Sequence, residues 1–180
     1  MSDETPKPPE TFHRFLDETG DTAFYGKGRK LIIGENGVSL SFGLGVVKID
    51  RPLEEVRKEI RALQAQVEAD PLLNTIPSVQ KRIASGGFYF HACKDSPDVR
   101  SVLLRYLRDL KCEAEMVIAR KLPALFEKQH HAREEEFYAD LLAHLIKPRL
   151  KRAGTLVLNV AERGSSTREK VLVEALQLAT

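Results

Sequence analysis

The chain has no tryptophan, only two cysteines and two methionines, and aromatic side chains make up 7% of its 180 residues. Cys93 and Cys112 lie far apart and neither has a CxxC companion, which excludes a disulfide framework and a zinc-finger spacing and leaves two thiols expected to be buried. No apolar run approaches the roughly 20 residues that a membrane-spanning helix needs. The opening MSDETPKPPE is acidic and proline-rich where a secretory signal would be basic and then apolar, so a cytoplasmic location without a membrane partner is expected. Charge of one sign is also lacking: 28 Lys and Arg against 26 Asp and Glu leave a net charge of +2. Any nucleic-acid contact must therefore come from local basic patches and not from an overall field. What is present, 42% apolar and 30% charged residues, is the composition of an ordinary globular domain. The length fits one domain over residues 11–180 behind a loosely docked lead-in over residues 1–10.

The patterning predicts alternating strands and helices. From Thr11, Phe12, Arg14 and Leu16 fall on one face and His13, Phe15 and Asp17 on the other, the alternation of a strand. LIIGENGVSLSFGLGVVKID places Asn36-Gly37 between apolar stretches and reads as a hairpin of two further strands. Leu53, Val56, Ile60, Leu63 and Val67 recur at helical spacing behind Asp50, a candidate cap, and Pro52. FYFHA, residues 88–92, reads as a short strand. Ser96-Pro97 then opens a helix through Val99, Val102, Leu103, Tyr106, Leu107 and Leu110. EAEMVIARK reads as a strand, and Phe137, Leu141, Leu142 and Leu145 line a helix from about Arg133 to the region of Pro148. TLVLNVAE is a buried strand, followed by a Ser165 or Ser166 cap and a last helix through Val171, Val173, Leu176 and Leu178. A hairpin start giving way to helix and strand alternation implies a mixed α/β sheet covered by helices.

The segment TFHRFLDETGD ends this first strand in Asp17, Glu18 and Asp21. Like charges crowded within a few ångströms raise one another's pKa unless a positive charge lies between them. A divalent cation, Mg2+ or Mn2+, is the simplest such charge, and a Thr19-Gly20 turn could return Asp21 toward Asp17 as a second oxygen ligand. The competing reading has Asp21 capping a turn, Glu18 solvated and Asp17 accepting backbone hydrogen bonds.

RFLDETGDT also resembles the opening motif of the domain of unknown function 3800 family, in which a strand ends in an Asp-Glu-Ser-Gly-Asp type sequence. SFGLGVVKI, FYFHACKDSPDVRSVLLRYL, EEEFYADLLAHLI and VLNVAERGSSTREKVLVEAL are similar to later segments of that family, so the likeness spans most of residues 12–178. It implies a ribonuclease H-like fold, with early antiparallel strands followed by alternating helices and strands. It further implies metal-binding acids: Asp17 at the first-strand position, Glu162 after TLVLNVA as the later ligand, and Glu18 and Asp21 as ligands or support. Two metal ions flanking a scissile phosphate would make such a site a nuclease or phosphodiesterase. The chain departs from the pattern at Ala119 and Ala161, where acids could have served, and at EALQLAT, where the family's further acid-bearing helix is expected to be absent, truncated or supplied by another chain.

Further candidates carry two readings each. His91 could assist proton transfer or bind phosphate, or be a satisfied structural histidine. Arg100 could hold a phosphate, or pair with Asp17 or Glu18. GKGRK offers Lys27, Arg29 and Lys30 as phosphate contacts in a glycine-loosened loop without a P-loop pattern. KPRLKR at 147–152 reads as a basic helix end or a nucleic-acid contact, and QHHAREEEF as a polar helix start. The expected function is a metal-dependent nuclease or phosphodiesterase acting on nucleic acid. The alternatives are a catalytically inactive binding or assembly module, which could form a homodimer through a sheet edge and its terminal helix, and an aspartyl-phosphate enzyme, for which no Gly-Asp partner motif is found.

Overall fold

The computed structural model describes residues 11–35, 37–150, 155–160, 173 and 176–177. In chain order its elements are β1 (Thr11–Gly20), β2 (Ser41–Ile49), α1 (Leu53–Ala69), α2 (Pro77–Ala84), α3 (Pro97–Asp109), β3 (Cys112–Arg120), α4 (Pro123–His130), α5 (Glu134–Leu150) and β4 (Thr155–Val160). They fall into two compact units, Met1–Lys48 with Glu113–Thr180, and Ile49–Cys112.

The first unit is built on a four-stranded sheet of order β3-β2-β1-β4. β1 and β2 are antiparallel, with Leu16 opposite Val46 and Asp17 opposite Gly45. β4 runs parallel to β1 from Thr11↔Thr155 to Leu16↔Val160. Gly43 lies against Val117 O and Gly45 against Glu115 O, an opposite order along the two chains that makes β2 and β3 antiparallel. This is the expected mixed α/β sheet with an early antiparallel pair: β1 and β2, then α1 to α3, β3, α4 and α5, and last β4 parallel to β1.

One sheet face is covered. Leu16, Phe42, Leu44 and Val46 are buried there with Phe126 of α4 and with Phe137, Leu142 and Ile146 of α5. Phe24 stacks on Phe126 with centroids 3.7 Å apart, and Phe137 meets Phe24 edge-on at 5.1 Å. Each such buried side chain contributes about 1.5–3 kcal/mol of apolar transfer. The acids Glu134, Glu135 and Glu136 stand in the first turn of α5, where the helix dipole favours negative charge.

The second unit packs α1, α2 and α3 around a smaller cluster of Val67, Val79, Phe88 and Val99. The Ser96 side chain caps α3 by accepting from Val99 N–H, with Pro97 in its first turn.

Several expectations are corrected. Asn36 lies outside the described residues; residues 31–35 and 37–40 form turns with one isolated bridge, Tyr25↔Leu31, and β2 pairs with β1 and β3 and not with a strand from residues 31–35. Asp21 accepts from both the backbone N–H and the hydroxyl of Ser39, which draws this segment away from a ladder. FYFHA is not a strand: Phe88 N–H donates to Glu68 and His91 N–H to Asp95, so carboxylates take the place of a partner strand. Helices α2 and α4 form where none was expected, and QHH ends α4, with His131 at φ 51°, while the next helix starts at Glu134. Pro52 stands at the N-cap of α1 without a side-chain cap, so Asp50 does not serve there. Both thiols, Cys93 and Cys112, are exposed. The caps Ser165 and Ser166 lie outside the described residues, as do most residues of the last helix. No helix among the described residues is long and apolar enough to cross a membrane.

Candidate functional site

The alternation of β1 decides which way each acid points. Leu16 faces the helix-covered core, so Asp17 faces the opposite side of the sheet; it is exposed, and its Oδ1 accepts Glu18 N–H at 2.8 Å. Its cross-strand neighbour is Gly45, which carries no side chain to stand beside it. A cavity of about 580 Å3 opens there, lined among others by Phe15, Asp17, Gly45, Val47, Met116 and Asn159. The described pairing of β1 with the parallel β4 runs as far as Leu16↔Val160.

Glu18 lies opposite Leu44 and is half-buried, turned by the same alternation from the face that carries Asp17. Asp21 follows Gly20, whose φ of +80° and close approach to Ser41 O admit no side chain. The Asp21 carboxylate does not return toward Asp17 as a second ligand. Its Oδ1 accepts Lys121 Nζ at 2.7 Å and Ala23 N–H at 3.0 Å, and its Oδ2 accepts Ser39 N–H at 2.7 Å and Ser39 Oγ–H at 2.8 Å. Burial alone raises the pKa of this carboxyl, but the hydrogen bonds from Lys121 and Ser39 outweigh it and hold the group at about 2. Lys121, just past β3, has no side-chain exposure and also donates to Ala23 O at 3.0 Å. Sequence reading passed over this lysine, whose signal was a cation directly after a half-apolar strand and before Leu122-Pro123.

The basic loop is committed elsewhere. Arg29 lies 3.7 Å from Glu127 of α4, Lys30 pairs with Glu35 at 3.2 Å, and Lys27 is exposed. Tyr25 donates to the same Glu127 at 2.8 Å, which ties the loop to the helix-covered side, and none of these cations lines the cavity at Asp17. His91 and Arg100 belong to the other unit. Arg100 donates to Asp95 O at 2.9 Å, with no ion pair to Asp17 or Glu18 shown, and His91 Nδ1 accepts Cys93 N–H at 3.3 Å. Asp95 in turn is paired at 2.5 Å with Arg82, whose head also donates to Tyr89 O and lies over the Phe88 ring. Glu162 lies outside the described residues, as do Ala161 and Arg163.

Among the described residues no group of three or more His, Cys, Asp or Glu side chains is placed to hold a metal ion. Mg2+ is commonly held by one or two carboxylates together with water and substrate phosphate oxygens. The described carboxylates that line the cavity are Asp17, Glu18 and Glu115, of which Asp17 stands on the same sheet face as Gly45.

No family model matches the chain, and no curated protein matches it. Among solved structures it is similar to a chain of the PCNA:RNase HII complex from Archaeoglobus fulgidus, at 15% identity and a TM-score of 0.44, over 93% of this chain and 58% of that one. That likeness is too slight to carry an argument, and the fold assignment rests on the strand pairing.

Proposed function

We propose that the end of β1 is a divalent-metal-dependent site for hydrolysis of nucleic-acid phosphodiesters, with Asp17 and Glu162 as metal ligands. Asp21 then shapes the turn, and Glu18 lies behind it. The observation that carries this reading is the position of Asp17. It stands in the C-terminal half of β1, three residues before the strand's end at Gly20, on a strand flanked by antiparallel β2 and parallel β4. In open α/β sheets ligands bind outside the carboxyl ends of the strands. A bound Mg2+ or Mn2+ would supply the positive charge that phosphate oxygens require and an acidic water. Asp17 contributes a fixed carboxylate whose backbone is held by the ladder to Gly45, and Lys121 keeps Asp21 from drifting into that place.

A second reading, a catalytically inactive binding or assembly module, is favoured by a different observation. Asp21 is neutralised by a buried lysine, and of the cations of GKGRK Arg29 lies by Glu127 of α4 and Lys30 by Glu35. Manganese titration by calorimetry, with a nuclease assay on single-stranded and duplex DNA and RNA, separates the two readings. The first expects one manganese-binding event and metal-dependent cleavage, both lost in Asp17→Asn and in Glu162→Gln. Equal binding by wild type and Asp17→Asn, or metal-independent cleavage, removes Asp17 from the site and leaves the module.

A further inference from the structure

The face of the sheet opposite α4 and α5 has a composition that hydrolysis does not explain. Antiparallel sheets with one wet face normally place polar side chains outward. Here the outward residues of β3 include Met116 and Ile118, 60% and 61% exposed. Phe15 and Val47 stand opposite each other on the same face. Between them Gly43 and Gly45 contribute no side chains, and a Cβ at Gly43 would lie 2.9 Å from Thr19 Cγ2 and 3.3 Å from Ile118 Cγ1, so the strip is held open by the absence of side chains and closed to larger residues. The result is the trough of about 580 Å3 whose rim carries the exposed Asp17.

Charge chooses the occupant. Among the described residues that line the trough there is no lysine or arginine, while Asp17, Glu18 and Glu115 are acids, and Arg29 and Lys30 of the basic loop lie by Glu127 and Glu35. A nucleic-acid strand gains its affinity from phosphate contacts with Lys and Arg. A protein segment that lays apolar side chains into the trough and brings a guanidinium or ammonium to Asp17 matches both the floor and the rim, and the planar fork of arginine suits a carboxylate best. Contiguous exposed apolar surface of this kind marks interaction sites in soluble domains.

We infer that this trough docks a short apolar and basic segment of a partner protein, with a Lys or Arg of the segment seated on Asp17. The segment covers Asp17, so docking and any chemistry at that carboxylate exclude each other. The inference does not depend on hydrolysis, since its test involves no cleavage.

The test pans the full chain against a library of short random peptides, and binding of the enriched peptides is followed by fluorescence anisotropy. Enriched sequences are expected to carry Lys or Arg beside apolar residues and to weaken about tenfold or more against Met116→Lys and Asp17→Asn. Ile118→Lys is made in parallel, and circular dichroism of each variant shows which are folded. Several outcomes overturn the inference: no enrichment, enrichment of acidic peptides, or affinity unchanged in the folded variants. It is equally overturned if an oligodeoxythymidine displaces the peptides more tightly than they bind. Self-association abolished by Met116→Lys, without peptide binding, assigns the face to a second copy of the chain and overturns it as well.

Discussion

In the sheet unit the Lys121 side chain, with no exposure, lies on Asp21, whose side chain is 35% exposed; in the helical unit Arg82 lies on Asp95 with exposures of 8% and 2%. Both pairs hold loops in place of a ladder. Lys121 joins the end of β3 to the turn after β1, with its own N–H donating to Leu40 O at 3.0 Å. Arg82 donates to Ser78 O within α2, and Arg82 and Asp95 together satisfy Tyr89 O and His91 N–H of the segment that reads as a strand in sequence. The difference lies in solvent. Asp21 keeps Ser39 and partial access to water when its lysine is lost, whereas Asp95 keeps His91 N–H and has almost no access to water. A buried pair contributes less than its Coulomb energy suggests, yet breaking one by removing a single partner is costly in proportion to the burial of the charge left behind.

Substitutions at the two pairs measure that difference. Arg82→Met strands Asp95 in the helical unit and is expected to destabilise it by about 3–5 kcal/mol, read by denaturant unfolding and by loss of amide protection in residues 77–109. A loss under about 1 kcal/mol would mean that the segment holds without the pair. Lys121→Met is expected to cost less, about 2 kcal/mol, since Ser39 and water still serve Asp21. If Lys121→Met proves the more damaging, burial of the carboxylate is not what ranks the pairs.

Acid compares the two units through other carboxylates. Asp21 has its pKa lowered from 3.8 to about 2, so its stabilisation is fully present above 3.8 and is lost as the pH falls toward 2. Glu59 in the helical unit, held down by hydrogen bonds from Arg51 and Tyr106, has its pKa lowered from 4.5 to about 2 and loses its contribution from a slightly higher pH. Unfolding followed between pH 5 and 2 should show Asp21→Asn flattening the lower part of the loss and Glu59→Gln the upper. Ser96→Ala removes the α3 cap and is expected to cost about 1 kcal/mol, confined to the helical unit. Smallest of all, Asp17→Asn is expected to change stability by under about 0.5 kcal/mol, because the side chain is exposed and accepts only a neighbouring N–H. A large loss there would give Asp17 a structural role and weaken both proposals for that face.

The elements that sequence reading anticipated, β1, β2, α1, α3, β3, α5 and β4, are those whose apolar residues repeat with one period over several positions. Burial along β1 and the Ser96 cap are local properties, visible in the residues themselves. The elements it missed or misread depend on distant groups. FYFHA is apolar and looks extended, and only Glu68 and Arg82 with Asp95 decide that its backbone is served by side chains. Asn36-Gly37 has the composition of a hairpin turn, yet the residues after it are captured by Asp21. The candidate site divides in the same way: the strand alternation that turns Asp17 outward is local, whereas the commitment of Asp21 to Lys121 joins residues a hundred positions apart.

Short-range order, meaning which stretches become strands or helices and which face of β1 carries the acid, follows from side-chain period, caps and turns, since these involve residues within a few positions of one another. Which carboxylate stays open to solvent and which is neutralised was settled by packing, because a charge responds to whatever lies within a few ångströms, however far away it is along the chain.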